Sequence, residues 1–256
     1  MNISVLTVLS ELYKPFLETS LIKRAVDKKI ISFDVDDFFS FVVSKERIDA
    51  VPFGPCAGML IKPMVVERAI ASKEESHGKA YKVFFSPQGK KLTTHLAREI
   101  ALKTQETGHL MLVASRYEGV DSRAESIYAD LMVSLGDFVL MGGDIAALAV
   151  LESTLRFIPG IVGKEESVVD ESFSGPFVEY PQFTEPVVWK GLEVPHVVRS
   201  GNHAAIKQWR ENEAARKTVF NHFEWFRGFP VARHECKLAA QYIPHHYTAL
   251  LHNDVL

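Results

Sequence analysis

This sequence predicts an α/β protein built on a parallel sheet and followed by a helical C-terminal segment. Three observations carry that expectation. Short, apolar, strand-like runs alternate with helix-patterned segments over the first 160 residues. Several loops rich in Gly, Pro and Ser fall directly after those runs. Beyond about Asn202 the strand signals give way to helical periodicity with clustered aromatic residues, among them Trp209, Trp225, Phe226, Phe229 and Tyr242.

Taken in order, Ile3–Leu9 is β-branched and apolar, and Leu12–Asp27 carries apolar residues at helical spacing. Ile30–Val43 reads as a second strand region, and Val51–Gly58 as a loop of breakers. Pro63 suits the first turn of a helix over Met64–Ser72. The strand Val83–Phe85, the turn Ser86–Gly89, the helix Thr93–Thr104, the strand Leu110–Ala114 and the loop Ser115–Asp121 follow. Strands over Leu131–Ser134 and Phe138–Leu140 lead into Gly142-Gly143-Asp144 and a helix from about Ile145 to Ile158, stopped by Pro159-Gly160. Residues 161–190 are acidic with little periodicity, which suggests a functional loop or linker. The expected organisation is an α/β domain over 1–160, this linker, and a helical domain over 191–256, with no internal repeat.

Composition narrows the function. The 256 residues are 47% hydrophobic and 24% charged, as in an ordinary globular protein. Apolar stretches are too short to span a bilayer, so no membrane partner is expected, and the start of the chain lacks the pattern of an export signal. A cytoplasmic location is expected, with Cys56 and Cys236 as free thiols. A net charge of −3 does not announce a nucleic-acid binder, although Lys and Arg gather between Lys207 and Lys217. Dinucleotide, triphosphate and α/β-hydrolase fingerprints are all missing. His234, Cys236, His245, His246 and His252 fit no common zinc spacing, so no metal site is assigned.

Candidate chemistry concentrates at the loops Ser86–Gly89, Ser115–Asp121 and Leu135–Asp144. Each follows a strand at its carboxyl end, where open parallel sheets bind ligands. Gly142-Gly143 permits close backbone approach or positive φ. Arg156 ends the long helix, where it complements the last carbonyls or clamps a developing anion. Asp170-Glu171 is either a solvated pair or the seat of a base.

Together these segments resemble one family. Ser86-Pro-Gln-Gly89, Arg116-Tyr-Glu-Gly-Val-Asp121, Leu135-Gly-Asp-Phe-Val-Leu-Met-Gly-Gly-Asp144, Arg156-Phe-Ile-Pro-Gly160 and Ser200-Gly-Asn-His203 occur in the order and spacing of the bacterial tRNA (guanine-N1)-methyltransferases, the TrmD family. The resemblance implies a SPOUT-type α/β fold with a deep trefoil knot and a small helical C-terminal domain. It implies S-adenosylmethionine as methyl donor, tRNA as substrate and a homodimer with shared active sites. The implied product carries its methyl on N1 of guanosine 37, just 3′ of the anticodon; a Mg2+ requirement stays open.

Carried over by motif, Phe85, Ser86, Pro87, Ser115, Tyr117, Glu118, Leu135, Gly136, Asp137, Phe138, Val139, Leu140, Gly142 and Gly143 are expected to hold the donor. Arg156 and Glu171 are expected to be catalytic, with Glu171 as base and Arg156 stabilising charge on the guanine. Gly58, Met59, Ser167, Asp170, Lys207 and Arg210 are the expected substrate contacts. The sequence departs from the family at Phe53-Gly-Pro-Cys-Ala-Gly-Met59, at Ser115, at Ala146 and at Asp170-Glu171, where aspartate usually stands directly before Ser-Phe. A related knotted methyltransferase acting at another RNA position, or a silent RNA-binding relative, stay open as alternatives.

Overall fold

A computed structural model describes residues 1–55, 57–162 and 172–243. The chain forms two compact units, 1–165 and 166–256.

The first unit is organised by a five-stranded sheet. Its strands are β1 (Asn2–Thr7), β2 (Ser32–Asp37), β5 (Tyr81–Lys91), β6 (His109–Val113) and β7 (Leu131–Ser134), in the order β2-β1-β6-β5-β7 and all parallel. Alternation along each strand divides the core into two layers, because successive side chains point to opposite faces. Ile3, Val5, Leu110 and Leu112 pack on one face with α2 (Ser20–Asp27), α4 (Thr94–Thr107) and α6 (Asp144–Leu155). Leu6, Phe84, Met111 and Val113 pack on the other with α3 (Pro63–His77) and α5 (Ser122–Tyr128). Burial on both faces explains why the strands read as continuous apolar runs.

Local chemistry sets several boundaries that differ from the sequence expectation. The helix expected over Leu12–Asp27 is broken into a 3-10 turn (Ser10–Tyr13), a short α1 (Lys14–Leu17) and α2, because Thr19 adopts an extended conformation at the N-cap of α2. The second strand stops at Asp37, whose carboxylate accepts from the Phe39 N–H and starts a 3-10 turn through Phe41. The short helix α5 was not expected; Asp121 caps it by accepting from the Arg123 N–H. Ser86–Gly89 is not a free turn but lies inside β5, between Phe85 and Lys90, both of which face Val133 across a register shift. Phe138–Leu140 forms no strand and its three side chains are exposed. A two-residue hairpin, β3 (Asp49–Ala50) with β4 (Leu60–Ile61), brackets the breaker loop.

In the second unit α8 (His203–Asn221) is capped by Asn202, which accepts from the Ala205 N–H. Val219 of α8 shares a small core with Phe226 of α9 (Phe223–Arg227) and Ala239 of α10 (Arg233–Ala240). Within the expected 161–190 linker, Phe177 stacks on Phe226, and the Val178 N–H donates to Thr218 Oγ1. A hairpin of β8 (Val188–Trp189) and β9 (Leu192–Glu193), then a single turn α7 (His196–Arg199), complete the link.

One buried histidine ties the sheet to a helix end. His109 Nδ1 lies 2.8 Å from the Gly78 carbonyl, which can only accept, so Nδ1 carries the proton and Nε2 accepts from Ser4 Oγ at 2.8 Å. Burial pushes its pKa below the usual histidine value, and nearby His77 and Lys82 act in the same direction while Glu74 opposes. The unfolded chain therefore binds this proton more readily than the folded one. The stability it contributes is present above a pH of about 6.5 and is lost as pH falls below that value. Urea midpoints are expected to fall between pH 7 and 5.5. His109→Gln should be less stable at neutral pH and show a shallower fall, as read from the same titrations.

Candidate active site

A cavity of about 260 Å³ opens at the carboxyl ends of β5, β6 and β7. Its wall gathers Phe85, Ser86 and Pro87 from the bulged end of β5, Ser115, Tyr117 and Glu118 from the loop after β6, and Leu135, Phe138, Val139, Leu140, Gly142 and Gly143 from the segment after β7. Of the residues expected to hold the donor, Gly136 and Asp137 do not line it. Gly136 bonds through its N–H and its carbonyl to Ser134 Oγ, and exposed Asp137 pairs with Lys91 at 2.6 Å. Gly119, Glu125, Val133, Ser134 and Ala146, which were not among the expected residues, also line the cavity. Val133 and Ser134 could have been found as the last residues of β7; Glu125 carried no signal because α5 was not expected.

Close backbone approach forms the walls. A Cβ on Gly143 would lie 3.1 Å from Ala114 Cα and from the Ser115 nitrogen, and one on Gly142 would lie 2.5 Å from Arg116 Cδ. The pair therefore serves close approach, and neither residue has positive φ. The Gly143 N–H donates to the Ser115 carbonyl at 2.7 Å and fastens the segment after β7 to the end of β6. Gly89 is as tightly placed: a Cβ there would sit 2.6 Å from backbone atoms of Val133.

Beneath the cavity, Asp144 opens α6 and is almost fully buried. Its Oδ1 accepts from Thr7 Oγ1 at 2.5 Å and from the Tyr13 hydroxyl at 3.2 Å, and its Oδ2 accepts from Arg116 Nε at 2.9 Å. Burial, and then the Asp144 charge, hold the Tyr13 hydroxyl firmly protonated, with a pKa far above the usual tyrosine value. One carboxylate thus joins the ends of β1 and β6 to the helix that follows the glycine pair. The N-terminus of α6 also favours negative charge there.

Gly58 and Met59 lie behind one wall. Gly58 has φ +90°, and a Cβ on it would fall 2.3 Å from Glu118 Cγ. The Glu118 N–H donates to the Met59 carbonyl at 2.9 Å, and Ile61 bonds with Gly119 and Asp121. The altered loop therefore keeps glycine at the one point where it meets Glu118.

Arg156 caps the far end of α6 and does not line the cavity. The 12 residues of that helix span about 18 Å at roughly 1.5 Å per residue. Ser167, Asp170 and Glu171 lie outside the described residues. In the second unit, Lys207 is exposed and 3.9 Å from Glu211, while the Arg210 guanidinium stands over the Tyr180 ring at 4.7 Å. Arg216 is bound by Glu213 through two hydrogen bonds. Among the described residues no group of three or more His, Cys, Asp or Glu is placed to hold a metal ion, and no helix is long and apolar enough to cross a membrane.

The family model described as tRNA (Guanine-1)-methyltransferase TrmD matches residues 1–227. The chain belongs to the TrmD family. It is 40% identical over 242 residues to a tRNA (guanine-N(1)-)-methyltransferase of Thermus thermophilus, covering 94% of this chain and 98% of that relative. The enzyme of the same name from Bacillus licheniformis is 36% identical over 94% of this chain and 99% of its own length. That of Wolbachia pipientis is 37% identical over 83% and 90% respectively. The cavity at the ends of β5, β6 and β7 is thus built from segments of a TrmD chain matched over nearly all of its length.

Proposed function

We propose that this TrmD-family methyltransferase takes its methyl group from S-adenosylmethionine held in the cavity above β5, β6 and β7, and places it on N1 of guanosine 37 of tRNA. The observation that carries this reading is the convergence of three loop segments on one cavity. The fit is supported by apolar surface from Phe85, Phe138 and Leu140 beside backbone polar groups and the Glu118 carboxylate, a mixture suited to a ligand that is part aromatic ring and part charged amino acid. When bound, S-adenosylmethionine supplies an already activated methyl sulfonium. The chain must then hold guanine in line, withdraw the N1 proton and offset negative charge on O6. Glu171 would take the proton and Arg156 would face the developing charge. In this reading the enzyme works on tRNA in the cytoplasm, and the close approach of Gly142 to Arg116 and of Gly143 to Ala114 belongs to a knotted chain. The test is incubation with unmodified tRNA and labelled donor, followed by nucleoside analysis. N1-methylguanosine is expected; a ribose-methylated nucleoside, or tRNA binding without transfer, would overturn the reading.

The active unit is a homodimer in this reading. Arg156 stands about 18 Å along α6 from the end that meets the cavity, and in this reading the Arg156 that serves each site comes from a second chain. The exposed apolar side chains Phe138, Val139, Leu140, Met141 and Ile145 beside the cavity supply surface for such an association. Arg156→Ala and Glu118→Ala chains should each be nearly inactive alone and regain activity when mixed and allowed to exchange subunits. No recovery in the mixture, with heterodimers demonstrated by mass, would count against sharing.

Lys207 and Arg210 would contact tRNA phosphates. Changing both to Ala should weaken tRNA binding and lower the slope of log affinity against log salt by about 0.7–0.9 per lost phosphate contact. Arg216→Ala should matter less, because Glu213 already neutralises that guanidinium. Filter binding across a salt series checks both.

A further inference from the structure

The cavity is lined by two carboxylates, Glu118 and Glu125, and by no lysine, arginine or histidine among the described residues. Glu125 reaches it from α5. Its side chain is half-buried and has no hydrogen-bond or ion-pair partner among the described residues. A carboxylate withdrawn from water without a partner is costly in its charged form, and burial, followed by the Asp121 charge, pushes its pKa up. Among the described residues no cation relieves it, and a cationic ligand would. We propose that Glu125 is a specificity-determining residue for the methyl donor, acting with Glu118 to make the cavity prefer the cationic sulfonium over the neutral thioether product. This rests on the reading of the cavity as the donor site.

The charge balance gives the preference its direction. The donor and the spent product share the same adenosine and the same amino-acid zwitterion. They differ in one positive charge, which sits on sulfur. In the reaction the sulfur–methyl bond breaks with its electron pair left on sulfur, a nitrogen–methyl bond forms at guanine, and the N1 proton leaves to the base. The cavity then holds a ligand one charge less positive, and the attraction from Glu125 is withdrawn as turnover ends. A cavity of this sign would capture donor and shed product.

The test is calorimetric titration of wild type, Glu125→Gln and Glu125→Asp with S-adenosylmethionine and, separately, with S-adenosylhomocysteine, in the absence of tRNA. One charge lost from a partly buried site is expected to change affinity for a cation by about tenfold. Glu125→Gln should therefore weaken donor binding about tenfold and leave product binding within about twofold, while Glu125→Asp, which keeps the charge, should keep most of the preference. Equal weakening of both ligands by Glu125→Gln, or no change in either, overturns the role of Glu125 and leaves the cavity reading intact. Failure of the folded wild type to bind either ligand overturns the cavity reading and this inference together.

Discussion

Asp144→Ala is expected to lower the free energy of unfolding by about 3–5 kcal/mol, the range seen when one partner of a buried ion pair is removed. The substitution strips three donors at once, on Thr7, Tyr13 and Arg116. Thr7 and Tyr13 are fully buried, so neither hydroxyl can turn to water for a replacement bond. The Arg116 side chain, about a quarter exposed, would keep some hydration but lose its anchor against the glycine pair. Asp144→Asn separates the two contributions: its carbonyl can still accept from Thr7 and Tyr13, whereas its amide nitrogen would face the guanidinium. A smaller loss, about 1–3 kcal/mol, is therefore expected for Asn. Chemical denaturation at pH 7 measures both. Equal midpoints for wild type and Asp144→Ala would show that the network adds nothing to stability. Donor binding should fall with stability, because the same network seats the loop after β6 and the start of α6 around the cavity.

The fold class was legible because strand burial on both faces leaves a direct mark: Ile3–Leu6 and Leu110–Val113 are buried at consecutive positions, and all but Ser4 are apolar. The Gly142-Gly143 pair and the carboxyl-end loops likewise pointed to one edge of the sheet, where the cavity lies. What was not legible depended on contacts distant in sequence or on local capping. Thr19 and Asp37 redirect the chain at helix starts, and neither lies in a run whose periodicity shows a break. Ser86–Gly89 reads as a turn by composition, yet pairing of both flanks with Val133 turns it into a bulge inside β5. Phe138–Leu140 has strand composition but no neighbouring strand to pair with, so its apolar side chains stand at the surface. Glu125 is the sharpest case. A lone carboxylate on a seven-residue helix looks like a solvated side chain until the walls around it are built. Arg156 was legible as a helix-end arginine, whereas its separation from the cavity follows only from the direction in which α6 runs.

Glu171→Ala is expected to slow single-turnover methylation by a factor on the order of 10²–10⁴, the usual contribution of a general base, while donor binding measured by calorimetry stays near that of wild type. The argument rests on register. The family places aspartate directly before Ser-Phe, and in this chain that position, before Ser172-Phe173, is held by Glu171 with Asp170 one residue earlier. The following residues are anchored: Ser172 Oγ accepts from the Glu179 N–H, and the Phe173 ring packs edge-on against His222 and Trp225. That anchoring fixes where Ser172 and Phe173 stand, and Glu171 is the residue directly before them in sequence. Glutamate carries its carboxylate one methylene farther out, so Glu171→Asp should keep or raise the rate, and Asp170→Ala should change it little. Because N1 must lose its proton whatever its position relative to the donor, the loss in Glu171→Ala should also shrink at high pH, where more guanine is already deprotonated. The opposite pattern, with Asp170→Ala inactive and Glu171→Ala tolerated, would move the base by one residue and require the backbone before Ser172 to turn its side chains the other way.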